Sequence, residues 1–275
     1  MRLSVSHRIS YHYDVPASRV IQVLRLTPRN HDGQYVASWR IDVSTDCRLD
    51  QREDAFGNIT HAFAAEGPLR ELSLLAAGEI ETRDAQGVVR HAVERFPPSF
   101  FLRETQLTAC GSAIGQFADA ARETAGARPL GLLHALLSRL NGEMEYDADA
   151  THPAGSAAEA FAAKRGICQD LAHVFIAAAR SLAIPPRYVR GYFFRPDRSI
   201  SPAIGHGWAE AFVPDLGWVA FDVVNGVCAT DAHARVAVGL DYLGAAPVRG
   251  MRYGGRGEKL AIDIHIDQAR RQGQN

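Results

Sequence analysis

The sequence predicts an α+β protein, in which an N-terminal antiparallel β-sandwich precedes a domain of helices and further antiparallel strands. Two observations lead to this prediction. Apolar residues alternate with period two through most of residues 1–97, which is the spacing of half-buried strands. Between residues 114 and 182 they recur instead every three or four positions, which is the spacing of helices that bury one face.

The N-terminal strands are predicted to be short, and glycine-containing turn signals separate them. The alternating segments are residues 3–11, 20–26, 35–43, 59–63, 72–81 and 88–92. Short strands at this spacing are typical of a β-sandwich. Pro97-Pro98 marks the predicted boundary between the β-sandwich domain, residues 1–97, and a second domain, residues 98–275.

The second domain is predicted to begin with four helices and to end with strands. The helical patterns cover residues 114–125 and 130–142, a segment that starts near residue 156, and residues 166–182. Ser156 is a suitable N-cap, since Glu159 follows three positions later and completes a capping box. The later strand patterns cover residues 187–193, 205–213, 218–223 and 260–266. Residues 268–275 are expected to form a loose tail.

Charge and cysteine content exclude several classes of protein. The 275 residues include 30 basic and 31 acidic ones, so no basic excess points to a nucleic-acid partner. The apolar runs fall far short of the roughly 20 residues of a membrane span, so no membrane partner is expected. The four cysteines form no Cys-x-x-Cys pair, which argues against zinc and against a disulfide framework. A cytoplasmic protein with no cofactor or metal is therefore the expectation.

Cys168 lies where a helix is predicted to begin. The apolar residues that follow it mark one buried face of that helix: Leu171, Val174, Phe175, Ala178 and Leu182. Unpaired backbone N–H groups and the helix dipole at this end lower the pKa of a thiol and can bind the oxyanion of a tetrahedral intermediate. The alternative is a small buried cysteine that merely begins a helix, since buried cysteines are usually inert.

A nucleophilic cysteine needs a base that can reach it. His173 lies five positions further on, about 140° around the helix and about 7.5 Å along it, so it cannot reach the thiol and is expected to be structural. His152 lies in a predicted loop and has no further support. His206 is the better candidate, because it opens a strand whose hairpin partner ends at Asp222.

The register of this hairpin decides whether His206 and Asp222 meet. Turn residues centred on Asp215 separate the two strands. With a loop of three or five residues, Trp208 lies opposite Asp222 and His206 lies on the diagonal of the same face, within reach of an imidazole–carboxylate hydrogen bond. A loop of two or four residues would place the two side chains on opposite faces.

Together these segments resemble the bacterial transglutaminase-like family, a branch of the papain-like cysteine enzymes. The resemblance is carried by residues 166–173, 189–192, 206–210 and 217–222, by the Asp-Ala-Phe-Gly-Asn turn at 54–58, and by the C-terminal segment 236–250. It covers nearly the whole chain and implies a β-rich N-terminal domain ahead of a papain-like core, in which a helix bundle packs on an antiparallel sheet. Gly207 and Val223-Val224 depart from the family pattern, in which alanine and Pro-Thr are common.

The resemblance implies that Cys168 is the nucleophile, His206 the general base and acid, and Asp222 the group that orients His206. The reaction would be acyl transfer at an amide bond of a peptide or protein substrate through a thioester. Hydrolysis is the favoured outcome, because bacterial members are generally regarded as peptidases. The alternatives are a protein-glutamine transglutaminase with an amine acceptor, a catalytically silent peptide-binding module, and an interaction protein whose sandwich recruits a partner.

Four further residues are candidates for the oxyanion hole or the substrate groove: Gln169, Tyr146, Trp208 and Glu210. The backbone N–H of Cys168 would supply one oxyanion donor. Trp208 could equally belong to the core, and Glu210 could equally form a structural salt bridge. Asp170 is expected to cap the helix. A metal site is not expected, because no zinc spacing fits the set Cys168, Asp170, His173 and His206.

Overall fold

The computed structural model describes residues 1–148, 155–196 and 205–269 and confirms a β-rich chain with antiparallel sheets. The strands are β1 Arg2–Thr27, β2 Gln34–Val43, β3 Asp50–Glu53, β4 Ile59–Thr82, β5 Val88–Val89, β6 Glu145–Tyr146, β7 Arg165–Gly166, β8 Pro186–Phe193, β9 His206–Val213, β10 Gly217–Asp222, β11 Val227–Cys228, β12 His233–Gly239 and β13 Val248–Gln268. The helices are α1 Ser112–Ala125, α2 Pro129–Glu143, α3 Ala157–Ala163, α4 Cys168–Ser181 and α5 Tyr242–Ala245, with a 3-10 turn at Pro98–Leu102. Within the described ranges, no helix is long and apolar enough to span a bilayer.

The N-terminal strands form one sheet rather than two. The strand order is β13-β1-β4-β2, and β3 pairs with β4. The strands predicted at 3–11 and 20–26 are a single strand, β1, and those predicted at 59–63 and 72–81 are likewise joined in β4. A sandwich of two sheets built from short strands is therefore not what the described part of the chain forms.

Bends within the long strands account for this difference. A straight strand with the 26 residues of β1 would be about 85 Å long. Its pairing with β4 shifts register between His12 and Ala17 and again before Arg19, and Ile9 and Leu24 from its two halves share one apolar core. A bulge bends a strand without ending it. Alternation alone could not distinguish one bent strand from two strands joined by a turn.

Strands cross the boundary predicted at residue 97 in both directions. The C-terminal strand β13 pairs with β1 in the N-terminal sheet. From the other side of the boundary, β5 pairs with β10 in the second sheet. Each sheet therefore contains a strand from the other predicted domain.

The second sheet carries helix α4 on one face. Its strand order is β11-β10-β9-β8-β12, and β5 lies beside β10. The helices α1, α2 and α3 contact α4 on its other sides. As a result α4 is buried from Cys168 to Arg180, and Phe175 packs in one core with Tyr188 and Phe221 of the sheet. This central helix holds its first residue in a fixed position at the end of the sheet.

Two amide side chains of the N-terminal region bind the free edge of the second sheet. The Gln34 amide bonds both backbone groups of Arg235 on β12, at 2.7 and 2.8 Å. The Asn58 amide bonds both backbone groups of Val238, each at 2.8 Å. Gln34 and Asn58 are buried. Buried backbone groups need hydrogen-bond partners. These two amides supply the hydrogen bonds that a neighbouring strand would otherwise make with β12.

The turn at residues 54–58 presents Asn58 to β12. The Asp54 carboxylate accepts hydrogen bonds from the backbone N–H groups of Phe56 and Asn58 and from the Asn58 side chain. Arg25 pairs with the same carboxylate at 2.8 Å. Gly57 has a φ of 81°, which a residue with a Cβ atom rarely adopts. The Asp-Ala-Phe-Gly-Asn motif thus orients the amide that joins the two sheets.

Replacing this amide should destabilise the protein. Asn58→Leu leaves the buried N–H and C=O of Val238 without partners, so we expect the free energy of unfolding to fall by about 2–4 kcal/mol, measured by urea denaturation. Asn30→Leu is the matched control, because the Asn30 amide accepts one bond, from Val36, in an exposed position. Equal losses in the two variants would contradict the proposed function of Asn58.

Candidate active site

Cys168 is the first residue of α4, and its side chain is buried. The helix start is capped as predicted, since Asp170 accepts a hydrogen bond from the backbone N–H of Ile167 at 3.1 Å. The thiol therefore lies at the positive end of a buried helix, where a negative charge is favoured.

The hairpin formed by β9 and β10 has the register that brings His206 and Asp222 to one face. Val213 pairs with Gly217 and Ala209 with Phe221, so the loop has three residues and Trp208 lies opposite Asp222. This confirms the odd-numbered loop. His206 Nε2 lies 2.7 Å from Asp222 Oδ2. The imidazole–carboxylate bond expected from the sequence is thus present.

The pKa values of Cys168 and His206 depend on each other. Burial by itself would raise the pKa of the thiol, but His206 and the buried cation Arg190 outweigh it and lower the pKa of Cys168. Burial would lower the pKa of His206, yet the Asp222 carboxylate and the thiol raise the pKa of His206 to about 10. The surroundings thus favour a thiolate beside an imidazolium.

Asp222 is fully buried and surrounded by hydrogen-bond donors. Besides His206, its Oδ2 meets His233 Nε2 at 3.0 Å and the side-chain amide of Asn225. Its Oδ1 accepts a bond from the Asn225 backbone N–H at 3.3 Å. Burial would raise the pKa of this carboxyl, but His206 and His233 hold the pKa of Asp222 well below its usual range. Asp222 is therefore ionised at neutral pH.

His233 is a residue of this site that the sequence analysis missed. Its Nδ1 accepts the backbone N–H of Thr230 at 3.0 Å, so its proton resides on Nε2 and is donated to Asp222. Burial lowers the pKa of His233, which keeps this imidazole neutral. No spacing in the sequence marked it, because β10 and β12 are not neighbours in the sheet.

The atoms of His206, Asp222 and His233 that could bind a metal lie within 4.8 Å of one another, which is close enough to hold one ion. Two histidines and a carboxylate are ligands that zinc accepts. A ring that binds a metal through Nε2 carries its proton on Nδ1, however, and Nδ1 of His233 accepts the N–H of Thr230. The set therefore fits a network of shared protons better than it fits a metal.

Gln169 is next to Cys168 in the chain, and strand pairing brings Tyr146 near the same segment. Tyr146 is on β6, which pairs in parallel with β7, and its partner Gly166 precedes Cys168 by two residues. Burial and the charge of Cys168 raise the pKa of Tyr146 to about 12, so the phenol keeps its proton. Gln169 follows Cys168 directly and is buried.

Trp208 and Glu210 are enclosed by the protein. The Trp208 ring contacts the rings of His206 and His233, with centroids 5.9 and 5.3 Å away. The Glu210 carboxylate is fully buried and pairs with Arg187 at 2.6 Å and with Arg235 at 2.8 Å. Glu210 thus forms the structural salt bridge that was the alternative to a groove position, and neither side chain presents surface to a substrate.

The remaining histidines of the sequence analysis take no part in this geometry. The Nε2 atom of His173 accepts the backbone N–H of Tyr242 at 3.0 Å, which confirms a structural role. His152 lies outside the described residues.

Gly207 departs from the family pattern for a steric reason. A Cβ atom at this position would overlap the hydroxyl group of Tyr188, which is fully buried on the neighbouring strand β8. Only a residue without a side chain therefore lets the strand approach Tyr188 this closely.

Comparison with known proteins places this geometry in a family. Residues 118–223 match the transglutaminase-like superfamily, and residues 3–81 match the bacterial transglutaminase-like N-terminal region. Residues 118–223 are therefore a transglutaminase-like core, and residues 3–81 are an N-terminal region of the bacterial transglutaminase-like kind. His233 lies beyond the matched core segment.

Relatives of similar length occur in mycobacteria. The chain is 28% identical to the uncharacterized protein ML0607 of Mycobacterium leprae, over 96% of each chain. It is 29% identical to the uncharacterized protein Rv2569c of Mycobacterium tuberculosis, over 97% of this chain and 92% of the relative. A crystal structure named "a Putative Cysteine Protease" from Cytophaga hutchinsonii has a TM-score of 0.75 at 17% identity, covers 100% of this chain and 92% of its own, and supports the fold.

The four cysteines should differ in reactivity. The pKa of Cys168 is lowered, whereas burial raises the pKa of each of Cys47, Cys110 and Cys228. Iodoacetamide at pH 6–7 should therefore alkylate Cys168 first, as located by mass spectrometry, because the thiolate is the reactive form. The Cys168→Ala protein should stay unlabelled under the same conditions. Earlier labelling of another cysteine would refute the expected order.

The ion pairs of Glu210 should contribute to stability. Glu210→Gln removes a buried counter-charge from Arg187, which keeps its pair with Glu94, and from the half-buried Arg235, so the free energy of unfolding should fall by about 3 kcal/mol. Burial would raise the pKa of Glu210, but Arg187 and Arg235 hold it at about 2. This contribution is therefore complete above pH about 4.5 and lost as the pH falls toward 2. Glu79→Gln, at an exposed pair with Arg2, should cost less than about 1 kcal/mol.

Proposed function

We propose that this protein is a cysteine-dependent hydrolase of amide bonds in peptides or proteins. The observation that carries the proposal is the 2.7 Å bond between His206 and Asp222, and the lowered pKa of Cys168, which has His206 among its causes, supports it. A nucleophile bonded to a base, with the base oriented by a third group, is the arrangement that acyl transfer requires.

In the first half of the proposed reaction, the Cys168 sulfur attacks the substrate carbonyl carbon and a C–S bond forms. The backbone N–H of Cys168, at the start of α4, donates to the oxyanion, and the neutral phenol of Tyr146 is the proposed second donor. His206 binds Asp222 through Nε2, which leaves Nδ1 as the proposed acid. It protonates the leaving amine, the C–N bond breaks, and a thioester remains.

In the second half, water replaces the amine. His206, now neutral, takes a proton from water as the oxygen attacks the thioester carbonyl. The C–S bond breaks, the carboxylic acid leaves, and the thiolate–imidazolium pair is restored. Asp222 stays ionised throughout and keeps Nε2 of His206 protonated, so that Nδ1 can alternate between acid and base. Cys168 must remain reduced for this cycle, which is why we also propose a reducing, cytoplasmic location.

Hydrolysis is proposed ahead of transfer to an amine on the strength of the family resemblance. The structural neighbour from Cytophaga hutchinsonii also carries a protease name. In both reactions the same thioester forms, and the acceptor determines the product.

Substitutions at Cys168 and Asp222 test the proposal. With a peptide library as substrate, Cys168→Ala should abolish turnover, and Asp222→Asn should reduce kcat by about a thousand-fold or more, because it favours the wrong tautomer of His206. Cys110→Ala is the control and should keep full activity. Activity in Cys168→Ala would exclude covalent catalysis by this thiol. Product analysis by mass spectrometry, with and without a primary amine, distinguishes a free acid from a new amide, and amide alone would identify a transglutaminase.

A further inference from the structure

We propose that His233 is a positioning residue that orients Asp222, and that the N-terminal sheet holds His233 in place through β12. The inference rests on the proposed function, because it assigns His233 a part in the same site. It also assigns the N-terminal region a function, which is to position a residue of the proposed active site.

The hydrogen bonds of His233 determine its direction. Thr230 N–H donates to Nδ1 at 3.0 Å, and the backbone N–H of His233 in turn donates to the Thr230 carbonyl at 3.1 Å. The ring therefore points its Nε2–H at Oδ2 of Asp222, 3.0 Å away. The side chain is only 2% exposed, so water does not compete for this bond.

His233 and His206 share one oxygen atom of Asp222. Oδ2 accepts a charge-assisted bond from His206 at 2.7 Å and a neutral bond from His233 at 3.0 Å. The neutral donor takes up part of the carboxylate charge and prevents the carboxylate from rotating away from His206. The carboxylate then stabilises the His206 imidazolium less strongly, so the pKa of His206 is lower than it would be without His233. An acid that must protonate a leaving amine benefits from that reduction.

The N-terminal region determines where His233 lies. Strand β12 begins at His233, and its edge is bound at Arg235 by Gln34 and at Val238 by Asn58. The hydroxyl of Thr82, at the end of β4, donates to the carbonyl of Asp231 in the turn that precedes His233. Three side chains from the N-terminal sheet or its loops therefore fix the strand and the turn that carry this imidazole.

The first experiment compares His233→Phe, which removes the donor, with His233→Gln, which keeps an N–H at a similar reach. The readouts are the pKa of His206, from NMR of histidine-labelled protein, and the rate of Cys168 alkylation. The charged and titratable groups around His206 are Cys168 from α4, Asp222 from β10 and His233 from β12, with Arg190 from β8 beside the thiol. Of these groups, only residue 233 is altered by the substitutions.

We expect His233→Phe to raise the pKa of His206 and to slow peptide hydrolysis about ten-fold, the size of one lost hydrogen bond to a charged group. His233→Gln should restore both values to near those of the unchanged protein. His7→Phe is the matched control, since His7 is equally buried but contacts Tyr192 instead of Asp222. Equal losses in the Phe and Gln variants, or no change in either, would overturn the proposal.

Should His233→Phe fail to fold, His233→Asn supplies the same test, because its amide is too short to reach Asp222. The NMR titration and the alkylation need no substrate. A shifted pKa of His206 in a protein that hydrolyses no peptide would therefore refute the proposed function alone. Normal hydrolysis with an unshifted pKa in both the Phe and the Asn variants would refute only the role of His233.

The second experiment tests the link to the N-terminal sheet. Gln34→Met keeps the size of the side chain and removes both bonds to Arg235. It should raise the pKa of His206, as His233→Phe does, and slow peptide hydrolysis. Gln51→Met, on the exposed face of β3, should change neither value. A folded Gln34→Met protein with the hydrolysis rate and His206 titration of the unchanged chain would contradict this link.

Discussion

The buried carboxylate of Asp222 is the constraint around which this site is built. A negative charge that is removed from water is stable only if hydrogen-bond donors replace the solvent. Here His206, His233 and Asn225 supply them. Their presence keeps Asp222 ionised, and the ionised carboxylate in turn keeps His206 charged beside the thiol. The lowered pKa of Cys168 therefore depends on His206 and, through Asp222, on donors further from the thiol.

Glu210 on strand β9 is a second buried carboxylate in this sheet. Its hydrogen-bond partners differ from those of Asp222, and this difference separates a structural role from the proposed catalytic one. Glu210 lies on the same face as His206, four positions along the strand, and each of its oxygens is paired with an arginine. Its permanent partners cannot release a proton at neutral pH, so the Glu210 cluster is structural. Asp222 is instead bonded to two imidazoles, and one of them, His206, lowers the pKa of Cys168. The difference lies in the partners, since both carboxylates are equally buried.

The two sheets depend on each other through side chains rather than through a shared ladder. Gln34 and Asn58 satisfy backbone groups on the edge of β12, and β13 returns from the second half of the chain to pair with β1. An edge strand with unpaired backbone groups is exposed to wrong pairing, and the amides prevent this without adding a strand. The same contacts hold the strand that begins with His233, so the stability of the N-terminal sheet and the geometry of the site are coupled.

The sequence by itself determined the local parts of this protein. The position of Cys168 at a helix start and the cap by Asp170 follow from spacings of a few residues, and the structure has both. The sequence also marked the hairpin that carries His206 and Asp222, but it left two registers open, and the structure has the three-residue loop that aligns them. Tertiary structure decided the rest. The bent strand β1, the pairing of Asn58 with Val238 across 180 positions and the bond from His233 to Asp222 join segments that no periodicity relates. Such contacts depend on how whole sheets are placed, and a one-dimensional pattern records only which face of an element is buried.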